Sequence, residues 1–180
     1  MKKIILVAMA ALGTFTLTGC DFIQNFTDPE KSYSLSEYKA LLAERDFKGH
    51  DYTTAKVEGT TKALNKDAEE KETIVYTWSQ ETNYWIPDEE HPTQDFELSL
   101  LSKKTILEEI KTIETASDVY TFYARKSSYR ILLSETQDGQ SAKFEWKYDS
   151  KGLIYEVNAE IKDSKELTSG YAHIKITYSK

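Results

Sequence analysis

One thiol, three imidazoles and 30 carboxylates are the groups of this 180-residue chain that could serve as nucleophile, metal ligand or general acid. The thiol is Cys20, the only cysteine. The imidazoles of His50, His91 and His173 stand apart, with no His-x-x-x-His or Glu-x-x-His pair, so a zinc site would need ligands from distant segments. Asp88-Glu89-Glu90-His91 and Glu69-Glu70 are acid-rich, but they lack the alternating oxygen ligands of a calcium loop and read as solvated turns. Serine is plentiful, yet no Gly-x-Ser-x-Gly turn presents one and no histidine lies near to act as its base. The glycines after Cys20, at 49, 59, 139, 152 and 170, include no pair at the spacing of a phosphate-cradling loop. A carboxylate pair for glycoside hydrolysis would be set by spatial separation, and nothing in the linear order selects one. The expectation is a protein that is not an enzyme, with no catalytic residues, no metal site and no cofactor.

The lone cysteine has a context. Lys2 and Lys3 precede an apolar run, Ile4 to Phe15, broken only by Gly13 and Thr14. That run falls short of the roughly 20 apolar residues that span a bilayer and has the make-up of a signal-peptide core. Directly after it, Leu17-Thr18-Gly19-Cys20 resembles the lipobox of bacterial lipoproteins, the type II signal-peptidase site. The resemblance covers about the first 20 residues and implies that Cys20 is lipidated and becomes the new N-terminus. Two or three acyl chains, at about 0.8 kcal/mol per buried methylene, make such an anchor effectively permanent. Asp21 follows; in enterobacterial lipoproteins an aspartate there marks retention in the inner membrane. The organisation expected is a signal peptide over 1–19, lipidated Cys20 and a tether over 20–33, and one domain over 34–180. The location expected is the cell membrane, facing away from the cytoplasm.

Composition narrows the partners. Apolar residues at 39% and aromatics at 12% suit a folded domain, so the mean hydropathy of -0.57 reflects charged surface, not disorder. All 30 acidic residues and 21 of the 23 basic ones lie after Cys20, a formal charge of -9. That sign argues against nucleic acid as a partner and against electrostatic adhesion to anionic lipid; the membrane is reached through the anchor on Cys20. With no second cysteine, the exported part has no disulfide to lean on.

The elements come from periodicity. Residues 35–45 place Leu35, Tyr38, Leu41 and Leu42 at helical spacing, behind a Ser34–Glu37 capping box. Period two follows in 52–64 and 73–80, the latter with Ile74, Tyr76 and Trp78 on one face. Pro87 and Pro92 interrupt, and 96–113 returns to helical spacing. The last third reads as five antiparallel strands, with Asp138-Gly139 and Gly152 at hairpin turns. Alternation puts Ile131, Leu133, Phe144, Trp146, Tyr148, Tyr155, Val157 and Ile174 on an apolar face and Arg130, Lys143, Glu145, Lys147, Glu156, Asn158, Glu160 and His173 on a wet one. The fold class expected is α+β: an antiparallel sheet of about seven strands, in the manner of a half-barrel, covered on one face by two helices.

Aromatic weight is what remains to suggest a function. Tyr123, Phe144, Trp146, Tyr148 and Tyr155 are the candidate ligand-binding residues, on the reading that a curled sheet leaves space for an acyl chain or other apolar ligand. The alternative is that they are simply core, and that the protein binds another envelope protein through its surface. The order helix, hairpin, helix, antiparallel meander, together with Tyr148-Asp149-Ser150-Lys151-Gly152-Leu153, resembles the periplasmic lipoprotein carriers and related mycobacterial lipid-carrier lipoproteins over about 34–180. That resemblance implies a helix-capped half-barrel and an apolar cargo, and it transfers no individual residue. The anchor is tested by Cys20→Ser. The variant is expected to take no radiolabelled fatty acid and to run as unprocessed precursor or appear in the medium, whereas a processed, membrane-held variant would refute the lipobox.

Overall fold

The computed structural model describes residues 28–45, 47, 51–64, 66–81, 84–88, 106, 110, 113 and 119–180. Cys20 and the signal segment, 1–27, lie outside these. Each of the seven expected strands forms, and two short ones are added, so the sheet has nine strands and not seven. In chain order they are β1 Lys31–Tyr33, β2 Thr54–Lys62, β3 Glu70–Ser79, β4 Tyr84–Pro87, β5 Tyr120–Ala124, β6 Ser128–Gln137, β7 Gln140–Asp149, β8 Ile154–Asp163 and β9 Thr168–Ser179. Every pairing is antiparallel, in the order β1-β5-β6-β7-β8-β9-β2-β3-β4. β5 to β9 are a meander, and β9 closes back on β2, so the N-terminal hairpin extends the sheet. The two unexpected strands sit at the edges; with three and four residues they are too short to show a period of their own.

One helix, α1 (Leu35–Ala43), is described, against the two expected. It starts where the capping box requires: the Glu37 backbone amide donates to Ser34 Oγ at 3.4 Å, and the Ser34 amide donates to Glu37 Oε2 at 2.8 Å. Most of the second expected helix, 96–113, falls outside the described residues. Ile106 and Ile110 are helical in backbone and buried, and the Ile106 amide donates to the Gly152 carbonyl at 3.0 Å.

The core lies on the apolar face of the sheet. Tyr38 and Leu42 of α1 and Ile106 are 0% exposed and pack with Val57, Ile74, Phe122, Tyr129, Ile131, Tyr148, Ile174 and Ile176. Rings join these residues in short chains: Tyr38 lies 5.2 Å from Phe122, and Trp85 lies 5.3 Å from Trp78 and 6.0 Å from Tyr178. Trp85 is on β4 and Tyr178 on β9, with two strands between them; in a flat sheet such strands stand about 14 Å apart, so this end curls toward the apolar face. Two core phenols donate to the backbone, Tyr178 to the Ile154 carbonyl at 2.8 Å and Tyr38 to that of Arg130 at 3.4 Å.

Turn chemistry follows the sequence at two places. Asp138 and Gly139 both take positive φ, 52° and 88°, as a two-residue hairpin turn requires. Gly152, at φ 76°, sits against Phe47: a Cβ there would lie 2.9 Å from Phe47 Cδ1 and 3.3 Å from Ile106 Cγ2. Gly139 is looser, its nearest neighbours being the ends of the Lys165 and Ser164 side chains. Gly152→Ala should therefore cost roughly 2 kcal/mol or more, from left-handed strain plus displacement of the Phe47 ring, and Gly139→Ala visibly less. Urea unfolding of both variants measures this; equal losses would mean that the Phe47 contact contributes nothing.

Candidate functional site

The register sets every side chain of β6 to β9 on one of two faces. Ile131, Trp146, Val157 and Ile174 are successive cross-strand partners on the apolar side, and Arg130, Lys147, Glu156 and Lys175 are the adjacent row on the other. Phe144, Trp146 and Tyr148 thus share the apolar face as expected: Tyr148 is buried in the core, while Phe144 and Trp146 are half-buried with their rings stacked 6.1 Å apart. Tyr123 and Tyr155 do not join them. Tyr123 pairs with Arg130 in register, and the guanidinium carbon lies 3.9 Å from its ring centroid, on the polar side. Tyr155 falls at a bulge, where the register shifts so that Lys147 faces Glu156 but Tyr148 faces Ile154. The extra residue is Tyr155, and the charges acting on it are those of Lys147, Glu156, Arg125 and Glu145. Strict alternation carried Tyr155 to the wrong face because the inserted residue breaks the period.

The face expected to be wet is largely a closed charge network. Arg130 donates from Nη1 to Glu145 at 2.8 Å and from Nε to Glu30 at 3.2 Å, so one guanidinium serves two carboxylates. Lys147 Nζ lies 2.7 Å from Glu156 and 3.4 Å from Glu145. The Asn158 amide nitrogen donates to both carboxylates, at 2.8 Å each. His173, cross-strand from Asn158 and Thr60, is buried along with Thr60 and Glu156. Glu30 and Asp28 come from the segment expected to be tether. Asp28 accepts from the amides of Lys126 and Ser127 at 2.7 and 2.9 Å, which pins the chain to the β5–β6 turn just before β1.

Electrostatics follows from this geometry. Burial pushes the Glu145 carboxyl up, but the Arg130 hydrogen bond, the Lys147 charge and the Asn158 amide outweigh it and hold the group below the usual carboxylate range. Burial likewise pulls Lys147 down, and its hydrogen bond to Glu156 with the charges of Glu145 and Glu156 leaves it above the ordinary lysine value. Glu145 and Glu156, brought together through Asn158, are therefore a close carboxylate pair, of the kind the linear order could not select. A glycosidase pair needs one carboxyl held protonated, and here Glu145 is driven the other way while Glu156 is matched to Lys147. The arrangement pairs each of these carboxylates with a cation. Among the described residues, no three or more His, Cys, Asp or Glu side chains gather where they could hold a metal ion.

Above the network a shallow cleft of about 410 Å3 opens across β6 to β9. Arg130 and Leu132 form one side, Lys143 and Glu145 the floor, and Asn158, Glu160 and Tyr171 the other side. Alternation placed Arg130, Lys143, Glu145, Asn158 and Glu160 on one polar face but not Leu132 or Tyr171, and gave no signal that they enclose a cleft. No protein-family model, no curated protein and no solved structure matches this chain.

The pH dependence of stability has a definite sign. Glu145, depressed in the fold, stabilises above its ordinary value of 4.5, and that contribution is lost as pH falls through the folded value. Lys147, raised, stabilises below 10.5 and loses its contribution as pH climbs through the folded value. His173 is held below 6.5 by burial, so stability starts to fall as pH drops under 6.5. Chemical denaturation between about pH 3 and 11 should show a plateau from about 6.5 to about 10, the onset of a decline above it from Lys147, a shallow decline below it and a steeper one in the carboxylate range. His173→Gln should remove the shallow decline alone; a decline that persists would place its origin elsewhere.

Proposed function

We propose that this chain is a lipid-anchored, extracytoplasmic lipoprotein that acts as a non-catalytic binding module, with a packed core and the polar cleft over β6 to β9 as its working surface. The anchor rests on Leu17-Thr18-Gly19-Cys20 and the basic, apolar run before it. The observation that carries the module reading is how the apolar face is filled. Tyr38 and Leu42, on the helix that packs over β1 and β5, and Ile106, beside the Gly152 turn, are all fully buried and fill the apolar face at these places. The open space described at the surface is on the opposite face, among charges that balance one another. Partners of such a module are other components of the cell envelope, reached from a membrane-held domain on a short tether.

A second reading has its own observation. Phe144 and Trp146, stacked and half-buried on the apolar face, suit a carrier in which the sheet, as a half-barrel capped by two helices, accepts an apolar ligand beside the packed centre. Native mass spectrometry of the protein extracted from membranes in mild detergent separates the two. The expected mass is the polypeptide from Cys20 plus its own acyl groups and nothing further. A stoichiometric additional lipid or other apolar adduct would displace the packed-core reading in favour of the carrier.

A further inference from the structure

The geometry points to a neutral, hydroxyl-rich ligand, a short glycan, as the occupant of the cleft over β6 to β9; this rests on the module reading above and names its ligand class. At about 410 Å3 the cleft is within the range of small-molecule sites. Its lining holds two cations, Arg130 and Lys143, and two carboxylates, Glu145 and Glu160, the latter paired with Lys162 at 2.7 Å, so neither sign prevails in number. An anion approaching Arg130 would meet the two carboxylates that already hold its guanidinium, Glu30 and Glu145. A cation approaching Glu145 would compete with Arg130, Lys147 and the Asn158 amide. A hydroxyl is donor and acceptor at once and carries no charge, so it gains from both signs without displacing either.

The cleft is also prepared to receive such a ligand. Lys143, exposed on β7, makes no ion pair among the described residues and keeps its three donors. Glu145 and Asn158 are held in place by each other, so a ligand does not have to order them. Tyr171, whose phenol donates to Glu69, is half-buried with its position fixed. Together with Leu132 it gives the walls an apolar surface for the C–H faces of a sugar ring.

The test uses the full chain, extracted from membranes in a polyoxyethylene detergent without a sugar headgroup, on an array of neutral and anionic oligosaccharides, followed by calorimetric titration of the best neutral binder. Saturable binding to a neutral oligosaccharide is expected, little changed between about 0.05 and 0.5 M salt. Tyr171→Ala should weaken it by about tenfold and Lys143→Ala by about threefold, with the circular dichroism spectrum of each variant unchanged. The inference is overturned if no oligosaccharide binds, if only anionic ones bind and salt releases them, or if neither substitution moves the affinity. Failure of this kind with a clean native mass removes the ligand class alone; an apolar adduct in the native mass would remove the packed-core reading beneath it.

Discussion

A slip of one residue between any two central strands would exchange the contents of the two faces, and the rest of the molecule depends on that not happening. In the register observed, Ile131, Trp146, Val157 and Ile174 lie on the face that carries the core, while Arg130, Lys147, Glu156 and Lys175 form a row on the far side. Slipped, the core would receive unpaired charges and water would receive the aromatic rows, both at a cost of several kcal/mol. Core and charge network are thus two consequences of one set of pairings. Among the described residues, the bulge at Tyr155 is where the strand pairing departs from strict alternation, and it lies beside the tight Gly152 turn.

The charge network explains why so polar a face can be so little exposed. Each cation has two acidic neighbours, Arg130 with Glu30 and Glu145, Lys147 with Glu145 and Glu156, and Asn158 joins the acids. A half-buried charge is tolerable when its partners are fixed and its lone pairs used. The same saturation shapes the chemistry of the surface. A carboxylate held in its charged form is a poor proton donor, and a guanidinium already shared by two acids has few donors left for an anion.

The edges of the sheet show how the segment before the first helix is joined to the domain. Asp28 is fastened to the amides of the β5–β6 turn, Glu30 to Arg130, and β1 to β5. The chain is therefore built into the domain from residue 28 onward and not from 34, and Glu30, just before β1, is part of the network that underlies the cleft. At the opposite edge β4 is four residues long and ends in Pro87, a short edge of the kind that resists pairing with other chains.

What the sequence determined by itself is the part written in local patterns: the Ser34 capping box and α1, the alternation of β2, β3 and β5 to β9, and the positive-φ turns at Asp138-Gly139 and Gly152. These are legible because each depends on residues a few positions apart. Tertiary structure alone decided the rest. β1 and β4 exist because β5 and β3 offer them backbone partners; Tyr155 leaves the aromatic face because the β7–β8 pairing carries a bulge; Tyr123 rests against Arg130; and Glu30, Glu145 and Glu156, over a hundred residues apart at the extremes, converge on two cations. The physical reason is common to all of these: a strand's edge, a bulge and an ion pair are properties of two segments at once, and no single segment carries the information about its partner.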